Sequence, residues 1–182
     1  MSAPPLRCAP NPRHSCAMSE PSEADLHFLR RAFAVATEAR ARGDRPFGAV
    51  VVADGAILME GPSLQGAGGG GNLAHSEMVA LGRLHMAGIS RKTLARATIY
   101  SSGEPCAMCS AAIFYAGIGR MVYGLRAEAI AAARNAQAHT AGLGLSCREV
   151  LSAAAAPVVV LGPLLEAEGA VPHEGYWVAG AA

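Results

Sequence analysis

No run of about 18 uninterrupted apolar residues occurs in the chain, because Gly, Pro or charged residues break every apolar stretch. That is the length a membrane-spanning helix needs, so no such helix is expected. A charge excess is missing as well: fifteen Lys and Arg stand against fourteen Asp and Glu, a formal net charge of +1. Nothing global therefore draws the protein to a polyanion. Lys and Arg are absent beyond Arg148, while Glu166, Glu168 and Glu174 follow, so the last stretch is poorly suited to holding phosphates. The arginines of 30–45 form the candidate basic patch, which keeps nucleic acid an admissible though not a favoured partner. The first 17 residues hold Arg7, Arg13 and four prolines but no apolar segment of signal-peptide length. A cytoplasmic protein is the simplest expectation. Cysteine is odd in number, at five, and two of the five flank a two-residue gap after a proline. This favours metal ligation in a reducing compartment over a disulfide framework.

What is present is apolar: 52% hydrophobic against 16% charged residues in 182. That balance predicts a compact globule of one domain plus ends. Residues 1–22 are rich in Pro, Ser and Ala without periodicity, which predicts a disordered leader carrying Cys8 and Cys16, with Met18 as an alternative start. The domain then covers 23–182, with a C-terminal tail from about 163. Leu26, Leu29, Phe33 and Ala36 recur at helical spacing over 23–42, and Ser22 offers a cap. Apolar runs at 49–53 and 56–59 flank Asp54-Gly55, a hairpin signal. The Gly-rich segment 61–71 predicts irregular structure, and helical spacing resumes over 74–86. Further expected elements are strands at 97–101, 120–123 and 158–161 and helices at 106–116, 128–138 and 164–170. The alternation favours a three-layer α/β/α architecture.

Two short segments carry the chemistry: His75-Ser76-Glu77 and, some thirty positions later, Pro105-Cys106-Ala107-Met108-Cys109. Each is common alone, since a histidine at a helix start is usually a cap and a Cys-x-x-Cys pair has redox and structural-zinc readings. Together, each opening a helix, they are specific. Two cysteines three apart on one helical turn and an imidazole from a neighbouring helix start make three ligands for Zn2+. Three protein ligands leave a position for water, which the metal acidifies. Glu77, two residues from the histidine, would take a proton from that water and return it to a departing amine, as hydrolytic deamination requires. Two alternatives compete. A closed structural zinc site with Cys147 as fourth ligand would leave Glu77 without a role, and a thioredoxin-like redox pair lacks its fold context.

The His-x-Glu and Pro-Cys-x-x-Cys pairing is an established signature of zinc deaminases, and both halves of it stand in this sequence. The chain resembles the cytidine and deoxycytidylate deaminase superfamily, in particular its guanine deaminase and tRNA adenosine deaminase branch, over about residues 26–160. Arg45-Pro46-Phe47-Gly48-Ala49-Val50-Val51-Val52 with Asp54-Gly55 is similar to that branch's first hairpin. Ala74-His75-Ser76-Glu77-Met78 and Ser102-Gly103-Glu104-Pro105-Cys106-Ala107-Met108-Cys109 are similar to its zinc segments, and Ile118-Gly119-Arg120-Met121-Val122-Tyr123-Gly124 to the strand that follows. The resemblance implies a five-stranded mixed sheet sandwiched by helices, and a homodimer. It also implies a base-binding Asn after the second hairpin strand, for which Ser63 is the nearest equivalent by spacing. The usual Asp-Pro-Thr-Ala before the histidine is here Gly71-Asn72-Leu73-Ala74, so the pocket rim differs in shape. Phe47 either stacks on a substrate ring or fills core. Glu104 either contacts an exocyclic amine or shapes the turn into Pro105. Trp177, with Tyr176 and His173, forms either a packed tail or a lid over a pocket. The expected activity is zinc-dependent hydrolysis of an exocyclic amine on a nucleobase, guanine in the first place. The alternatives are tRNA adenosine, a nucleoside or cytosine, or a non-enzymatic partner subunit, against which an intact Glu77 argues.

Overall fold

Ser22 caps a helix in the computed structural model of the chain, whose described residues are 20–134 and 143–177. Its hydroxyl accepts the Asp25 amide at 3.2 Å and its own amide donates to the Asp25 carboxylate at 2.9 Å, a reciprocal capping box that opens α1 (Glu23–Ala41). Residues 1–19 of the leader expected over 1–22 lie outside the described residues, Cys8, Cys16 and Met18 among them.

Asp54 and Gly55, at φ 51° and 78°, make the tight turn between β1 (Gly48–Ala53) and β2 (Ala56–Pro62). The sheet order is β2-β1-β3-β4-β5, with β3 at Thr98–Gly103, β4 at Arg120–Leu125 and β5 at Val159–Leu161. β1 runs antiparallel to β2 and β3, whereas β3, β4 and β5 are parallel, so the sheet is five-stranded and mixed as expected. Every residue of β1 is buried, the mark of a strand covered on both faces. Val50 and Val52 pack with Leu29, Phe33 and Tyr100 on the α1 side. Ala49 and Val51 pack with Leu84, Ile99 and Ile113 on the other, beneath α2 (Ser76–Met86) and α4 (Ala107–Ala116). Three α/β/α layers result.

Several boundaries differ from expectation. β2 continues through Gly61 into the segment expected to be irregular, because α2 lies directly on it: a Cβ there would sit 2.2 Å from the Ser76 carbonyl and 2.6 Å from the Ala80 amide. Gly61→Ala is expected to force β2 and the start of α2 apart, costing about 3 kcal/mol and lowering Tm by roughly 6–12 °C. A melt within about 2 °C of wild type would show that this contact yields freely. β4 likewise passes through Gly124, where the Phe33 ring would meet a Cβ at 2.4 Å. α5 (Ala127–Ala133) begins one residue early, and the part of the expected helix at 135–138 lies outside the described residues. α3 (Arg91–Leu94) and α6 (Cys147–Ser152) are additional, and α7 (Glu166–Ala170) precedes a 3-10 turn at Val171–His173.

Beneath α1, Asp25 binds distant parts of the chain together. Arg120 donates to both its oxygens, at 2.5 and 3.0 Å, and the Tyr100 hydroxyl donates to one at 3.0 Å. Burial pushes the Asp25 carboxyl up, but the Arg120 guanidinium and the hydrogen bonds from Ser22 and Tyr100 outweigh it and hold the group well below the usual carboxylate range. Its stabilisation is thus complete above the unfolded-state value near 4 and fades as pH falls towards the lower folded value. Asp25→Asn is expected to cost about 3 kcal/mol at neutral pH, and the gap to wild type to narrow at about pH 3. Urea melts of both proteins at the two pH values check this; a gap that widens in acid contradicts it.

Three of the five arginines in the candidate basic patch face carboxylates, while Arg40 donates to the Pro172 carbonyl at 3.0 Å. Arg30 pairs with Glu168 at 2.9 Å, Arg31 with Glu38 and Glu60 at 2.7 and 2.6 Å, and Arg42 approaches Asp44 at 3.9 Å. Among the described residues, no helix is long and apolar enough to cross a membrane.

Candidate functional site

Two helices of one layer start at the same place. His75 is the N-cap of α2 and Cys106 the N-cap of α4, each in extended backbone, and neither side chain bonds back to its own helix. The imidazole and thiol are therefore left to face each other, with Cys106 Sγ 3.7 Å from His75 Nδ1. Cys109, within the first turn of α4 and fully buried, brings a second sulfur, and the three donor atoms lie within 4.8 Å of one another. Tetrahedral zinc, with bonds of about 2.3 Å to sulfur and 2.0–2.1 Å to nitrogen, would hold such atoms about 3.6 Å apart, so the spacing fits. One nitrogen and two sulfurs also suit a borderline-soft ion.

The three donors shift one another's acidity. A hydrogen bond from the Cys109 thiol, against burial and with help from His75, pulls Cys106 down to about 4. Cys106 and burial push Cys109 up in turn, and the Cys106 hydrogen bond raises His75. Cys147 is not in this group: it lies in the core at the start of α6, its thiol pushed up by burial.

Glu77, in the first turn of α2, is 6% exposed. Ser101 of β3 donates to its Oε1 at 2.6 Å and Ser76 to its Oε2 at 3.2 Å. The carboxylate thus stands beside Cys109 with its orientation fixed from both sides. The same β3 leads from its C-terminal end through Glu104 and Pro105 to Cys106, the strand end at which α/β sheets present ligand sites.

His75, Glu77 and Cys106 line a cavity of about 520 Å³, and Phe47 and Glu104 line it too. Glu104 accepts the amides of Ala127 and Cys147 at 3.2 and 3.1 Å, and so anchors the starts of α5 and α6. Ser63 and Trp177 are not among the lining residues. Ser63 is fully buried and its hydroxyl accepts the Gln65 amide at 3.3 Å. Trp177 donates its indole N–H to His173 Nδ1 at 3.1 Å, with its ring 6.3 Å from that of Phe47. The tail therefore packs against a residue of the cavity wall.

Gln65 and Arg134 are among the lining residues that sequence reasoning did not single out. Gln65 reaches the cavity with its Nε2 donating to the Asn72 carbonyl at 3.0 Å. Arg134 holds its guanidinium 4.6 Å from the Trp177 ring centre and 5.5 Å from that of Phe47. The only signal for it was a lone charge in an alanine-rich run. Arg134 is the one Lys or Arg among the described lining residues, against Glu77, Glu104, Glu128 and Glu149.

Residues 22–125 match the family model described as the cytidine and deoxycytidylate deaminase zinc-binding region. A probable cytosine deaminase of Schizosaccharomyces pombe is 38% identical over 164 residues, covering 89% of this chain and 98% of that protein. Guanine deaminase of Bacillus subtilis is 39% identical over 90 residues, 49% of this chain and 56% of its own. A solved structure of a tRNA:A34 deaminase aligns with a TM-score of 0.64 at 29% identity, covering 81% of this chain and 99% of that one.

Proposed function

The chain belongs to the cytidine and deoxycytidylate deaminase family, and from that premise we propose that it is a zinc-dependent hydrolytic deaminase of a free nucleobase, guanine in the first place. The observation that carries the reading is the Glu77 carboxylate, oriented by Ser101 and Ser76 beside the His75, Cys106 and Cys109 donors. Zinc held by those three residues would acidify a water at its remaining position. Glu77 takes up a proton and delivers it to the departing amine. Its Oε2, which receives the longer hydrogen bond, is the oxygen freer to exchange protons, while the short bond from Ser101 steadies Oε1.

Phe47 offers its ring to the substrate from the cavity wall, with the Trp177 tail supporting it. Ser63 acts at one remove by holding the backbone of Gln65, and Glu104 shapes the wall through its two amide bonds. A homodimer accords with Tyr115 of α4 and Met86 of α2, which are 76% and 85% exposed. The acidic lining favours a neutral base over a tRNA, whose phosphates would be repelled.

Ammonia release by zinc-loaded protein tests the reading across guanine, cytosine, adenine and an unmodified tRNA. Guanine turnover is expected. Turnover of cytosine alone would support a second reading, which the end-to-end likeness to the S. pombe protein favours. Release from tRNA alone would overturn the free-base reading.

A further inference from the structure

Arg134 is placed unlike most arginines of the described chain. Six others, Arg30, Arg31, Arg42, Arg96, Arg120 and Arg126, pair with carboxylates. Arg134 has no acceptor among the described residues, although it lines the cavity and its Nε is sealed from solvent. An unpaired charge that is largely removed from water costs stability unless a partner arrives. Its position is nevertheless built. Trp177 and Phe47 hold the guanidinium by their rings, Trp177 is tied to His173 through its indole N–H, and Phe47 meets the His173 ring edge-on at 5.0 Å. A guanidinium held over aromatic rings makes no hydrogen bond with them, so its terminal N–H groups remain able to donate.

We propose that Arg134 is the specificity-determining residue of this pocket, donating to a ring carbonyl oxygen so that amino-heterocycles bearing an oxo group are taken over those lacking one. This rests on the deaminase reading above and adds the substrate feature that is recognised. A carbonyl fits better than a phosphate, because Glu104, Glu128 and Glu149 line the same cavity and repel an anion but not a neutral oxygen. Guanine and cytosine satisfy the requirement, and adenine does not.

Trp177 is the chain's single tryptophan and lies against Arg134, so its fluorescence reports binding without turnover. Hypoxanthine and purine differ by the oxo group and carry no exocyclic amine to lose. Wild type is expected to bind hypoxanthine roughly 10- to 100-fold more tightly than purine, the worth of one hydrogen bond from a charged donor. Arg134→Met should bring the ratio to about one and Arg134→Lys to an intermediate value, with circular dichroism confirming that both variants fold. The kcat/KM ratio of guanine to 2-aminopurine should follow the same order. Equal binding of the two ligands by wild type, or a preference that survives Arg134→Met, would overturn the proposal. So would a wild-type preference for a nucleoside 5′-phosphate over its base that Arg134→Met abolishes, since Arg134 would then be reading an anion. Selective hypoxanthine binding with no ammonia released from any base would sink the deaminase reading and leave Arg134 its role. Guanine turnover with a ratio indifferent to position 134 would do the reverse.

Discussion

Glu77→Gln is expected to lower kcat by about 10²- to 10⁴-fold while the protein keeps its full complement of zinc. The amide nearly matches the carboxylate in shape, and its oxygen can still accept the 2.6 Å bond from Ser101, so the start of α2 should stay in place. What disappears is a group able to accept a proton. Zinc per chain by plasma emission spectrometry and ammonia release on the same preparation make the test. The metal content is the informative half, because a variant that lost zinc as well as turnover would make Glu77 a ligand and not a proton carrier.

Cys109→Ala should behave in the opposite way and lose metal and activity together. This sulfur is wholly buried and stands one turn from Cys106 within the three-donor group. One ligand's share of the roughly 10–16 kcal/mol found for structural zinc sites corresponds to a loss of about 10²- to 10³-fold or more in affinity. Competition with a chromophoric chelator measures that loss. A second readout is thermal: chelator should lower the Tm of wild type and scarcely move that of the variant, since only a protein that binds metal gains stability from it. Cys147→Ala, which removes a core thiol outside the group, should keep its zinc. Loss of the metal in that variant would revive a closed four-ligand site.

Elements whose signals are local were legible in the sequence. The Ser22 cap, the Asp54-Gly55 hairpin and the helix starts at His75 and Cys106 each depend on a few adjacent residues, and each occurs where those residues predict. Gly61 misled because its local meaning is a break, whereas its actual setting is a strand pressed against α2, a contact between segments over a dozen residues apart. The α6 start had a readable marker, Ser146 followed by Glu149, which makes a full capping box, but the surrounding alanine and glycine hid it. Around the site, the His75, Cys106, Cys109 and Glu77 grouping follows from spacing and chemistry. Gln65 and Arg134 do not, because what brings them to the cavity is the folding of a loop and the packing of the far C-terminal aromatics. Arg30, Arg31 and Arg42 looked basic in one dimension, and their carboxylate partners lie as far away as Glu168.

Glu104 also has a mechanical consequence. It sits two residues before Cys106, in the same short link that aims that sulfur, and its two oxygens grip the first turns of α5 and α6. The wall of the pocket and the link that carries Cys106 are thereby joined by a single side chain acting as a tie-rod. A bulky guest that levers α5 outwards must pull on the link that carries Cys106. A substituent too large for the pocket would thus be felt at the reacting centre as a displaced sulfur and not merely as a clash at the rim. Shortening the rod by one methylene, as in Glu104→Asp, would leave it able to reach one amide or the other but not both, and the pocket would lose its means of sensing how wide it has been opened.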